Sequence, residues 1–90
     1  MTFSIEEVGM FLRRLYPGHT LDFEFGKEEF YVIIKIPPQN NKAYKGTRVI
    51  FNKKDLFTKG FTVLEVSGII NEKIVKALQR LEVMNNLLGL

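Results

Sequence analysis

The chain has no cysteine, no tryptophan, one histidine and three prolines, and its apolar runs are short. Each scarcity removes a class of chemistry. Without cysteine there are no disulfides, no thiolate zinc sites and no Cys nucleophile. The single histidine, His19, follows a Pro-Gly turn and has no carboxylate placed beside it by spacing, so general acid–base catalysis lacks its second group. Ser4 and Ser67 sit at element ends, outside any nucleophile-elbow context. The glycines show no phosphate-loop spacing. Asp22 and Glu24 share a strand face, but no third ligand is positioned to complete a metal site. A non-enzymatic protein without cofactor or metal is expected. No apolar run approaches the roughly 18 residues of a membrane span. The N-terminal Met1–Gly9 lacks the basic and apolar regions of a signal peptide, so a soluble, cytoplasmic protein is expected.

What is present suits one small domain spanning residues 1–90. Eight Phe and three Tyr supply the bulk of a core. Lys, Asn and Ile outweigh Arg and Ala, the bias of AT-rich genomes, phages and plasmids among them.

Ser4-Ile5-Glu6-Glu7 reads as a capping box, with Phe3 and Val8 at the positions of a hydrophobic staple. Ile5, Val8, Leu12 and Leu15, with Phe11 alongside, then recur at helical spacing. Tyr16-Pro17-Gly18-His19 is a turn. Strict alternation in Leu21–Phe25 predicts a strand, and Phe30–Ile36 its hairpin partner, with Phe25 opposite Phe30. That register leaves Asp22, Glu24, Tyr31 and Ile33 on the second face. Arg48–Phe51 and Phe61–Val66 read as two further strands. Between them, residues 52–60 form either a long hairpin loop or one helical turn capped by Asn52 and ended by Gly60. A last helix follows, with Asn71 as its N-cap and Ile74, Leu78, Leu81 and Leu88 as its buried stripe. The expected fold is α+β in the order α-β-β-β-β-α, an antiparallel meander with both terminal helices on one face.

The main functional signal is charge. Residues 40–60, NNKAYKGTRVIFNKKDLFTKG, hold six cations against Asp55 alone, so this segment carries +5 while the whole chain carries +3. Tyr44, Phe51 and Phe57 are interleaved with the cations, an arrangement that offers charge to phosphates and ring faces to bases. The plainer reading is a solvated edge strand, where lysines block edge-to-edge aggregation. Lys42, Tyr44, Lys45, Arg48, Lys53 and Lys54 are the candidate partner-binding residues, for a protein first and a nucleic acid second. The element order, a helix, an antiparallel sheet and a C-terminal helix, resembles the double-stranded-RNA-binding domain. That family presents its phosphate-contacting cations from a Gly- and Lys-rich start of the last helix. Here the corresponding Ser67-Gly68-Ile69-Ile70-Asn71-Glu72-Lys73 offers one lysine and one acid, so no residue roles carry over.

The C-terminus adds an apolar cluster, Val83, Met84, Leu87, Leu88 and Leu90. Four of these, Met84, Leu87, Leu88 and Leu90, are the candidate contacts of a homo-oligomer. The expected function is docking on another macromolecule, foremost a protein, as a modulator or inhibitor of the kind phages and plasmids encode. The alternatives are nucleic-acid binding through 40–60 and structural self-assembly through the tail.

Overall fold

Helix formation begins where the sequence signals it. In the computed structural model, which describes residues 3–38 and 42–88, the Ser4 hydroxyl accepts the Glu6 N–H at 3.2 Å and opens helix α1, Ile5–Leu15. The bond falls one residue earlier than the Ser4–Glu7 box predicts. Phe3 and Val8, the staple pair, are both buried in the core. Glu6 and Glu7 in the first turn and Arg13 and Arg14 in the last complement the helix dipole. The covered stripe is narrower than the spacing suggested: Val8 and Leu12 are buried, whereas Phe11 and Leu15 stay exposed.

Three antiparallel strands follow, β1 (Thr20–Phe25), β2 (Glu29–Lys35) and β3 (Gly46–Asn52), side by side in that order. Phe25 pairs with Phe30 as the alternation predicts. The register sends Leu21, Phe30, Val32, Ile34, Val49 and Phe51 to the inner face, where all are buried. Asp22, Glu24, Tyr31, Ile33, Arg48 and Ile50 take the outer face. Residues 52–60 adopt the helical-turn alternative: Asn52 Oδ1 accepts the Lys54 N–H at 2.9 Å and opens helix α2, Lys53–Phe57. Beyond it Gly60 takes a φ of 69°, a left-handed conformation that glycine adopts without strain. α2 closes one end of the core, with Leu56 buried and the Phe57 ring stacked 5.3 Å from that of Phe3.

The fourth strand expected over Phe61–Val66 is absent. Helix α3 instead begins at Val63 and runs for 26 residues to Leu88. A capping box decides this. The Thr62 hydroxyl accepts the Glu65 N–H at 3.3 Å, and Glu65 Oε1 accepts from the Thr62 N–H at 3.1 Å and from its hydroxyl at 3.0 Å. A continuous helical stripe of Val66, Ile70, Ile74, Ala77 and Leu81 then has the inner sheet face to bury against. The β-branched residues at 62–66 have a strand preference, but it is weaker than this combination. Asn71, expected as the N-cap, lies inside the helix, and its Oδ1 accepts a hydrogen bond from the Tyr16 hydroxyl, tying the end of α1 to α3. Of the predicted stripe, Ile74 and Leu81 are buried and Leu78 is half-buried, but Leu88 is exposed.

α1 and α3 contribute to one core with the inner faces of all three strands. The class is therefore α+β with both terminal helices on one side, built on three strands where four were expected. At 1.5 Å per residue α3 is about 39 Å long, most of the molecule's 46 Å long dimension. No helix among the described residues is long and apolar enough to cross a membrane.

A cationic groove along the third strand

β3 is an edge strand, and its hydrogen-bond alternation fixes which peptide groups face outward. The Ile36 N–H donates to the Lys45 carbonyl and the Lys53 N–H to the Glu28 carbonyl, each at 2.9 Å. Odd-numbered positions of β3 therefore face β2, while Gly46, Arg48 and Ile50 turn their peptide groups to the free edge. Gly46 is required at its place: a Cβ there would lie 2.6 Å from the Ile34 carbonyl oxygen.

Two side chains of α3 cover this edge at its ends. At one end Asn85, buried, mimics a neighbouring strand. Its Oδ1 accepts the Tyr44 N–H at 2.8 Å and its Nδ2 donates to the Tyr44 carbonyl at 3.0 Å. At the other end Lys73 Nζ donates to the Ile50 carbonyl at 3.1 Å and stands 4.8 Å from the centroid of the Phe51 ring. Between these caps a groove separates β3 from α3. It comprises two adjoining hollows of about 370 and 290 Å³ that share Arg48 and Arg80. Lys73 and Lys76 line the first, and Tyr44, Leu81 and Met84 line the second.

The groove is electropositive. Lys73, Lys76 and Arg80 recur at i, i+3 and i+7, so α3 presents all three on one side. Arg48 borders the groove from the strand, with its guanidinium on the outer face, 5.0 Å from the centroid of the Tyr31 ring. Lys76 also pairs with Glu72 at 3.6 Å, but both side chains are well exposed and such a pair neutralises little. Among the described residues no hydrogen bond, ion pair or ring contact engages Arg80. The Tyr31 hydroxyl donates to Glu29 Oε2 at 2.9 Å, and that bond is the main cause that raises the phenol above its ordinary pKa.

The residues picked from the sequence are divided by the fold. Tyr44 and Arg48 belong to the groove. Lys45 is exposed next to it. Lys42 lines a separate cavity of about 350 Å³ with His19, Glu82 and Asn85. Lys53 and Lys54 lie in α2, and Lys53 Nζ stands 5.6 Å from the Phe25 ring centroid. The length of β3, seven residues or about 24 Å of extended chain, separates Lys42 from Lys53. Met84, Leu87 and Leu88 are exposed near the end of α3, while Leu90 lies outside the described residues. Lys73, Lys76 and Arg80 lie outside the 40–60 segment, and their helical spacing is the signal that marks their common face.

With three strands the element order still differs from that of the double-stranded-RNA-binding domain by the short helix α2 before the last helix. Moreover, α3 opens with Val63, Leu64 and Glu65, and its cations start only at Lys73. Comparison with known protein families, curated proteins and solved structures finds no match to this chain.

Proposed function

We propose that this chain is a small non-enzymatic binding protein that docks on another protein through the side where β3 and α3 meet. One observation carries this reading. Outward-facing peptide groups at Gly46, Arg48 and Ile50 share a groove with three cations of α3, Lys73, Lys76 and Arg80, and Arg48 borders it from the outer face. A nucleic acid would use the charge and the Tyr44 ring, whereas a polypeptide also pairs with the donors and acceptors of the strand edge. Apolar Ile33 and Ile50 on the neighbouring outer face extend the same surface. Blocking a partner's surface needs nothing more, so a role as modulator or inhibitor fits.

Replacing Tyr44 with photoreactive benzoylphenylalanine in the cells that make the protein tests this. A discrete cross-linked protein is expected, lost when Arg80→Glu is added. Tyr44→Ala should weaken docking at least as much as loss of one lysine, because aromatic anchors dominate interfaces. Labelled oligonucleotides titrated at low and physiological salt are expected not to bind. Binding that collapses steeply with salt, with no protein cross-link, would replace the protein by a nucleic acid as the ligand.

A second reading has its own observation. Val83, Met84, Leu87 and Leu88 are all exposed on the last turns of α3. Self-association through them would give a concentration-dependent mass in sedimentation, abolished by Leu87→Glu.

A further inference from the structure

We infer that the groove receives an extended, acidic segment of the partner as a fourth strand on β3, an inference that rests on the protein-docking reading of this site. An added strand lies about 4.8 Å from its neighbour and alternates its side chains between the two faces of the sheet. Here those two faces differ. On the inner side the strand meets Lys73, Lys76 and Arg80 of α3. On the outer side it continues the row of Ile33, Arg48, Tyr31 and Ile50. The segment that fits therefore has acidic residues at alternate positions and apolar residues between them.

The spacing agrees with this. From Lys73 to Arg80 the helix rises about 10.5 Å, and two successive same-face positions of a strand span about 6.8 Å. Two or three carboxylates of one strand thus lie within reach of the three cations.

The cap at this edge suits displacement. Lys73 closes the Ile50 carbonyl with one bond from a flexible ammonium. An incoming N–H takes that carbonyl, and the freed ammonium meets an incoming carboxylate. The partner replaces the bond it breaks and adds a charge pair.

The test is fluorescence anisotropy of the whole chain with a labelled heptapeptide alternating valine and glutamate. Micromolar binding at low salt is expected, and a peptide with lysine in place of glutamate should not bind. N-methylation of alternate amides leaves the charge intact but removes the strand's bonds, and should weaken binding about tenfold or more. On the protein side Ile50→Pro removes an outward N–H and keeps all four cations, with circular dichroism to check its fold. If that variant does not fold, the N-methylated peptide asks the same question of the native chain. Arg80→Glu should weaken binding while leaving the edge intact.

Equal binding of the N-methylated peptide would reduce the site to a charge patch and overturn the strand mode. No peptide binding even at low salt would also overturn it. Displacement of the peptide by single-stranded DNA that itself binds with a steep salt dependence would assign the cations to phosphates. The cross-link from position 44 separates the two levels: if it persists while the peptide fails, only the strand mode falls. If both fail, protein docking falls as well.

Discussion

At the β1 edge, Arg13 of α1 donates through both Nε and Nη2 to the Leu21 carbonyl, at 3.2 and 2.9 Å, and its guanidinium stands 5.6 Å from the Phe23 ring centroid. At the β3 edge, Lys73 of α3 donates once to the Ile50 carbonyl and sits over the Phe51 ring. Both edges use one device: a helix cation caps an outward carbonyl and covers a nearby ring. They differ in grip. A guanidinium fork fixes its geometry with two bonds, whereas an ammonium on a flexible stem holds by one and exchanges readily with water. Beside β1 the cation caps Leu21, while beside β3 a groove remains with three further cations around it. An exposed edge invites pairing with any strand. The single cap at Ile50 is thus looser than the cap at Leu21, and the surplus of cations stands on the β3 side.

The largest effect is expected where β3 is held most firmly. Asn85→Ala removes both bonds to the Tyr44 peptide and should cost about 2 kcal/mol, read from urea unfolding. It should also raise amide exchange at 44–48 selectively. The direct contrast between the edges comes next. Arg13→Met should cost about 1–1.5 kcal/mol, and Lys73→Met less than about 0.5 kcal/mol. Equal costs would break the comparison.

Two substitutions on α3 away from both edges serve as controls, each with stability expected to rise. The Ser67 hydroxyl is buried and has no hydrogen-bond partner, so Ser67→Ala should gain about 1 kcal/mol. A Cβ at Gly68 would meet no atom within 4 Å, so Gly68→Ala should gain about 0.5–1 kcal/mol through helix propensity. Neither should change exchange at either edge.

The smallest effect concerns the tie between the two guarding helices. Burial raises the pKa of the Tyr16 phenol, which donates to Asn71. The folded state thus holds this proton more tightly than the unfolded chain. Its contribution is complete below the unfolded pKa, near 10, and is lost as pH climbs through the higher folded value. Thermal unfolding should show a steeper alkaline decline for the native chain than for Tyr16→Phe.

Much of this was legible locally. The Ser4 start of α1, the Phe25–Phe30 register and the two faces of the hairpin all follow from neighbouring residues, whereas the Asn52 turn is one of two alternatives that local residues allow. The false fourth strand was a local error too, since Thr62-Val63-Leu64-Glu65 is as readable a capping box as Ser4–Glu7. Asn71 has the residue type of an N-cap but lies inside α3. Here it is kept by the Tyr16 hydroxyl, a partner distant in sequence that no local pattern shows.

The sequence by itself determined the α+β class and the inner-face core of the hairpin, because these depend on periodicity and residue type within short windows. Only the tertiary structure decided the site. The cations of 40–60 are neighbours along the chain, but an extended strand carries them apart. Lys73, Lys76 and Arg80 are a helix away from Arg48 in sequence and meet it in one groove, because α3 buries its apolar stripe against the sheet and its adjoining side then borders the β3 edge.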